Sequence, residues 1–198
     1  MGPMTAAGRF LKELKSGNRP RAANARPAAL TASLHGSLAF TGRGHGSDRA
    51  VILGLCGADP RTVDPDTMEA TIAAVEATGI VHPPGHSPYR FRPAVDLVFD
   101  KRNVLPGHPN GLQFSAYDGD GQLLLRRAYF SIGGGFVVSA DEFEALKTAS
   151  PGQADVPYPF ADARTMLDMA AASGLSIASM KRANEEVTRS RVALDRGL

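Results

Sequence analysis

Cysteine is almost absent from this sequence, and its scarcity excludes two kinds of site. The single cysteine, Cys56, ends the apolar run at residues 51–56, so an internal disulfide is impossible. One thiol also cannot hold an iron–sulfur cluster, since such clusters usually take about three or four cysteine ligands. We expect a thiol that fills the core, a reducing compartment and therefore a cytoplasmic protein.

Long hydrophobic runs and a strong net charge are missing as well. No stretch approaches the roughly 20 apolar residues of a membrane span, and residues 1–4 open no signal peptide. The 22 basic and 20 acidic side chains leave a formal charge of +2, too small to indicate nucleic acid or an anionic membrane. Basic residues do gather near the start, where a solvated helix face is a better interpretation than a phosphate-contacting patch. They are Arg9, Lys12, Lys15, Arg19, Arg21 and Arg26.

Hydrophobic periodicity predicts an α+β domain with a mixed sheet at residues 1–150, followed by a helical connector or lid at 151–198. Predicted helices lie at 7–14, at 49–55, from around Asp66 to Gly79 and beyond Asp141, and predicted strands at 30–34, 95–99, 112–117, 122–131 and 136–138. Gly17 and Gly79 are suited to end the first and third helices, and Ser47 or Asp48 to cap the second. The turn at 118–121 predicts a hairpin, and the proline-rich residues 81–93 predict an exposed loop.

The glycine-rich loop at residues 42–48 combines an imidazole, a hydroxyl and a carboxylate at the start of a helix. Such a loop allows close backbone approach to a ligand, and free N–H groups at the helix start favour an anion such as a substrate carboxylate. His45 is suited to move protons, with Asp48 fixing its tautomer and Ser47 binding substrate. A tight turn with an exposed His45 is an equally good interpretation of the residues alone.

A second candidate lies at residues 129–136, where Ser131 precedes three consecutive glycines. Glycines at the end of a strand mark a bulge or a place that another chain or a ligand approaches closely. Ser131, Gly133 and Gly134 are the candidate substrate contacts, and a strand crossing without a ligand is the alternative.

Metal sites are not indicated by the histidines or by the acidic turn. His82 and His86 have helical metal-site spacing, but the neighbouring prolines exclude a helix. The turn at 118–121 begins like a calcium loop and then continues with apolar residues.

Three glycine-bearing segments together resemble the beta domain of the iron–sulfur-dependent L-serine dehydratases. The resemblance is carried by residues 35–50 with 54–55 and 62–64, by residues 111–113 and 129–136, by Gly2-Pro3-Met4 and by residues 156–160. It implies a fold like the serine-sensing domain of some phosphoglycerate dehydrogenases. The activity that it implies is that of an L-serine ammonia-lyase, which removes water and then ammonia from L-serine to leave pyruvate.

The resemblance also implies partners and roles for the two loops. It places His45 and Asp48 as catalytic residues and Ser47, Ser131, Gly133 and Gly134 as substrate contacts. A [4Fe-4S] cluster would be held by a cluster-binding alpha domain or subunit whose ligands are not in this chain, in an enzyme that is a homodimer. We expect the 198-residue chain alone to be inactive.

Two other functions stay open on the residues. The first is a regulatory domain that senses serine or another carboxylate without reacting it, which the related sensing fold motivates. The second, a nucleic-acid adaptor that uses the basic start, has weaker support because no binding motif accompanies the charge.

Overall fold

The computed structural model describes residues 1–16, 25–148 and 156–196, which fall into two compact units, Met1–Lys147 and Thr148–Leu198. The predicted helix end at Gly17 and the predicted boundary at 150–151 lie outside the described residues. The helices of the first unit are α1 (Gly2–Lys15), α2 (Ser37–Thr41), α3 (Ser47–Leu55), α4 (Pro65–Thr78), α5 (Pro93–Asp96) and α6 (Ala140–Thr148). Its strands are β1 (Ala29–Gly36), β2 (Ile80–Val81), β3 (Tyr89–Arg90), β4 (Leu97–Asp100), β5 (Asn110–Tyr117), β6 (Leu123–Gly133) and β7 (Phe136–Ser139).

The strands form one mixed sheet, which confirms the predicted fold class. The order is β2-β3-β1-β5-β6-β7, and β4 pairs with β1 beside this path. β1 runs parallel to β3 and β4 but antiparallel to β5, and β6 returns antiparallel to β5 and β7. The predicted hairpin at 118–121 is present, because the Asp118 carboxylate accepts from two backbone N–H groups while Gly121 takes a positive φ.

Helix α1 packs its apolar stripe against the sheet and against α3. The predicted stripe residues Ala7, Phe10, Leu11 and Leu14 are all buried. The Phe10 ring stacks on Phe114 of β5 at 5.4 Å between centroids. Since full burial of a large apolar side chain contributes roughly 1.5–3 kcal/mol, this helix is a main source of the stability of the unit.

Three local predictions are wrong. Neither Ser47 nor Asp48 caps α3, because the cap position is Gly46 in the left-handed conformation at φ 64°. The stretch 81–93 is not simply an exposed loop, since it contains β2 and β3 and buries Val81, Tyr89 and Phe91. The strand predicted at 95–99 begins only at Leu97, after the short helix α5.

The second unit consists of helices, as the sequence predicts for this part of the chain. They are α7 (Ala163–Ser173), α8 (Ile177–Glu186) and α9 (Arg191–Asp195). Each begins at a side-chain cap, and Asp162 before α7 forms a reciprocal capping box with Thr165. Met180 of α8 is buried within this unit. None of the described helices of the chain is long and apolar enough to cross a membrane.

The crossing of α1 and α3 leaves no room for a side chain at Gly54. A Cβ atom at this position would lie 2.6 Å from the carbonyl oxygen of Met4 and 2.7 Å from Cβ of Ala7. Both neighbours are fixed on a helix, so the two helices would have to separate to admit a methyl group. Glycine at position 54 therefore sets the distance between α1 and α3.

We predict that Gly54→Ala destabilises the protein by about 1–3 kcal/mol, because the added methyl group overpacks the crossing. The matched control is Gly8→Ala in α1, where a Cβ atom would meet nothing within 4 Å. The control should gain roughly 0.5–1 kcal/mol from the lower chain entropy of alanine. Urea unfolding of both variants checks the prediction, and equal stabilities would contradict the packing described.

Candidate functional site

The first turn of α1 packs against the end of β6, which brings together two segments that are far apart in the sequence. Gly2 is buried under Ser131, and a Cβ atom at Gly2 would overlap the Ser131 side chain. Met1 contacts the same hairpin, since a Cβ atom at Gly135 would lie 3.3 Å from its terminal methyl carbon. We name residues 1–4 and 131–136 together the α1–hairpin site.

The hairpin of this site has a backbone that only glycine adopts easily over three consecutive positions. Gly133, Gly134 and Gly135 have φ values of 103°, 58° and 81°. Pairing between β6 and β7 shifts register here, between Ser131 and Gly133. The glycines therefore expose backbone at the tip, beside the Ser131 side chain and the exposed ring of Phe136.

Asn110 fixes the other side of the Ser131 backbone. Its Nδ2 donates to the Ser131 carbonyl at 3.2 Å, and in the sheet Asn110 lies opposite Gly36, the last residue of β1. The Ser37 N–H donates in turn to the carbonyl of Pro109 at 2.8 Å. The ends of β1 and β6 and the start of β5 are thus joined at one edge of the sheet.

A groove of about 610 Å³ follows the outer face of α1 from this site toward the other end of the helix. Its floor is formed by residues of α1, of which Lys12 and Lys15 are exposed, and its walls by residues 57–61 and by Pro83, Pro84 and His86. Gly134, Gly135 and Phe136 lie at the end that Met1 lines. Of the residues predicted to form the functional site, only Gly134 lines this groove.

Arg9 anchors the middle of α1 to the strand that follows the hairpin. One guanidinium nitrogen donates to the Val137 carbonyl at 2.6 Å, and another donates to the Glu142 carboxylate at 2.7 Å. The Arg9 hydrogen bond, followed by that from the Ser139 N–H, lowers the pKa of Glu142. Arg9 is therefore a structural anchor, and the predicted solvated helix face is wrong for this residue.

Glu13 holds the next turn of α1 in the same way. Its carboxylate accepts from Tyr129 Oη at 2.7 Å and from Arg127 Nε at 2.8 Å. Burial, and then the hydrogen bond to Glu13, raise the pKa of Tyr129, so the phenol stays protonated and continues to donate. The helix that carries residues 1–4 is thereby fixed on β6, which carries Ser131.

The predicted catalytic loop is present at another position on this unit. His45 is exposed, and its Nδ1 lies 2.9 Å from the Thr41 carbonyl oxygen. A carbonyl only accepts, so Nδ1 carries the proton and Nε2 has a free lone pair. Thr41, rather than the predicted Asp48, therefore fixes the tautomer of His45.

The two neighbours of His45 in the predicted site have different environments. Ser47 is only 6% exposed at the start of α3, so its hydroxyl does not face solvent. Asp48 is half-buried and accepts from the Arg49 N–H at 2.9 Å. No hydrogen bond among the described residues joins this loop to Ser131, so a shared pocket of the two loops stays a prediction.

Neither place holds a cluster of metal ligands or a reactive thiol in the described part of the chain. No group of three or more His, Cys, Asp or Glu side chains is arranged there to hold a metal ion. Cys56 packs against the core, and burial raises the pKa of its thiol, so it is a poor ligand and nucleophile. The contact of Cys56 with the core agrees with the prediction that this thiol fills the core.

Comparison with known proteins identifies the family. The family model described as serine dehydratase beta chain matches residues 1–142, which contain both glycine loops and the α1–hairpin site. The chain belongs to this family. It is 34% identical over 198 residues to an L-serine dehydratase of Streptomyces coelicolor and to the L-serine dehydratase TdcG of Escherichia coli, covering 100% of this chain and 42% of each relative. An L-serine dehydratase of Mycobacterium bovis is 34% identical over 191 residues, which cover 96% of this chain and 39% of that protein.

The chain thus spans about two fifths of the length of these relatives. Its α+β fold with a mixed sheet is consistent with the fold that the resemblance implies. The steric fit of Gly2 and the anchoring by Arg9 and Glu142 were not predicted. Their partners lie more than a hundred residues away, and no local pattern reports such contacts.

The lowered pKa of Glu142 predicts how the stability of the beta chain depends on pH. The unfolded chain binds this proton near the ordinary value of about 4.3, and the folded chain binds it only at lower pH. The stabilisation by Arg9 is therefore present above the ordinary value and lost as the pH falls through the folded value. Glu142→Gln should be less stable than the parent chain at neutral pH, and the difference should shrink on acidification.

Urea unfolding from pH 7 down to pH 3 measures this difference. Glu144→Gln is the control, because it removes another carboxylate from the same helix. The ion pair that Glu144 forms with Lys147 lies within that helix. A Glu142→Gln difference that does not change with pH would contradict the anchoring role.

Proposed function

We propose that this chain is the beta-chain part of an L-serine dehydratase, an ammonia-lyase that converts L-serine into pyruvate and ammonia. Loss of water gives an enamine, and its imine form takes up one water molecule as it releases ammonia, so the carbon skeleton and the carboxylate of the substrate are retained. The observation that carries the proposal is that one family match covers both segments that meet in the α1–hairpin site. The named relatives are L-serine dehydratases, which supports the same activity.

The α1–hairpin site is suited to meet the rest of an active site. It has exposed backbone at Gly133 and Gly134, a half-buried serine hydroxyl at Ser131 and the first turn of α1. N–H groups at the start of a helix and along a glycine turn favour an anion, as a substrate carboxylate would be. We propose that Ser131, Gly133 and Gly134 are the substrate contacts of this chain.

His45 is proposed as a proton-transfer residue. The Thr41 carbonyl holds its proton on Nδ1, which leaves Nε2 as an exposed base. His45 does not line the groove, so in this proposal it acts where the remaining part of the enzyme covers the loop. Asp48 and Ser47 stay predicted members of the same loop, with Ser47 needing to become exposed before it can contact substrate.

An iron–sulfur cluster does not fit the described residues of this chain. The one cysteine is packed against the core, and no other group of ligands is arranged for a metal. We propose that the ligands of the family's [4Fe-4S] cluster belong to the alpha domain or subunit. A cytoplasmic location, which the single cysteine favours, and a homodimer, which the resemblance implies, are part of the same proposal.

The activity is tested with this chain together with the proposed alpha domain or subunit. Anaerobically purified protein should release pyruvate from L-serine, and His45→Ala should lower kcat by about 10²-fold or more, as for loss of a general acid or base. His82→Ala is the matched control, since His82 is an exposed histidine of the same unit that does not line the groove.

The outcomes separate the parts of the proposal. Equal turnover of the His45→Ala protein and the parent protein would remove His45 from the mechanism. Absence of pyruvate from the parent protein, with L-serine binding retained in calorimetry, would overturn the dehydratase function in favour of a sensor.

A further inference from the structure

The groove along α1 has a strongly basic half at the end far from the hairpin. Lys12 and Lys15 lie in the last turn of the helix, about 20 Å along its axis from Met1 at a rise of about 1.5 Å per residue. They are three residues apart, so their side chains leave the helix as neighbours. His86 faces them from the opposite wall of the groove. We name Lys12, Lys15 and His86 the basic end of the groove.

The charges of the groove are not balanced at this end. Four cationic side chains line the groove, Arg9, Lys12, Lys15 and Arg61, against the single carboxylate of Asp59. Arg9 is paired with Glu142, and Arg61 is paired with Asp59. Within the described ranges, neither lysine has a carboxylate partner. Among the described residues the two ammonium groups therefore share the cavity without an ion pair of their own, and the Asp59 carboxylate near Lys12 is already paired with Arg61.

The wall around Pro83–His86 converts these surface lysines into part of a pocket. A Cβ atom at Gly85 would lie 2.9 Å from Nζ of Lys15, so the ammonium rests directly on this turn. Lys15 also contributes to lowering the pKa of His86, after burial, which agrees with their closeness. Lys12 lies near enough to Asp59 to help lower the pKa of that carboxyl, behind the larger effect of Arg61.

His86 is oriented so that one nitrogen remains for a ligand. Its Nδ1 lies 2.9 Å from Tyr89 Oη. When the tyrosine hydroxyl donates to Nδ1, the ring proton is on Nε2, which has no hydrogen-bond partner in the part of the chain that the structure describes. An anion between the lysines would then receive two ammonium groups and one ring N–H.

We propose that the basic end of the groove binds a small dianion, of the phosphate or dicarboxylate class. Paired cations with a neutral donor suit two negative charges carried by oxygens on one compact group. The lysines also complement the partial negative charge at the end of α1. That role alone requires no facing wall and no histidine.

The test measures binding of inorganic phosphate and of succinate to the 198-residue chain by calorimetry, at constant ionic strength set with sodium chloride. The parent chain should bind at least one of the two at a single site. Lys12→Gln/Lys15→Gln should raise Kd by roughly tenfold or more, because two charge-assisted contacts are lost. Lys12→Arg/Lys15→Arg should retain binding.

The control variant is Lys101→Gln/Lys181→Gln, which removes the same charge from exposed lysines that do not line the groove. It should bind like the parent chain. Phosphate binding alone or succinate binding alone supports the site and identifies the ligand class. No binding of either probe, or equal weakening by the groove and control variants, would overturn the proposal.

Discussion

The contact between the first turn of α1 and the end of β6 is the constraint on which the site depends. Gly2 has no side chain where the Ser131 side chain lies, and Gly54 has none where α3 meets Met4 and Ala7. At both glycines the neighbouring element lies so close that a Cβ atom would overlap it. These two contacts therefore fix the position of α1 relative to the sheet and to α3. The α1–hairpin site and the groove both follow from that position, since α1 supplies the first turn of one and the floor of the other.

Polar contacts then keep the helix in this position. Glu13 accepts from Tyr129 and Arg127 on β6, and Arg9 bonds to the backbone of β7 and to Glu142. Such contacts are directional, whereas apolar burial alone would tolerate sliding of the helix over the sheet. Among the cations of α1, Arg9 is paired with Glu142, whereas Lys12 and Lys15 line the groove.

Local signals predicted much of the fold, and distant contacts account for the rest. The stripe of α1, the glycine stop of α4 and the turn at 118–121 are short-range features, and each was predicted correctly from sequence. The prolines of residues 81–93 led to a predicted loop, but two short strands form there. These strands depend on pairing with distant residues, such as that of Arg90 with Ala29. For the site, the glycines after Ser131 were recognisable because they interrupt a strand. Their partner Gly2 was not, since nothing near either segment indicates the other.

The most direct test of this account is whether Gly2 and Ser131 are neighbours in solution. Nuclear Overhauser spectra of the labelled 198-residue chain should show cross-peaks between the Gly2 α protons and the Ser131 β protons, because a side-chain atom at Gly2 would overlap Ser131. The account predicts these peaks together with those of the β6–β7 pairing. Spectra with the β6–β7 peaks present but none between Gly2 and Ser131 would contradict it.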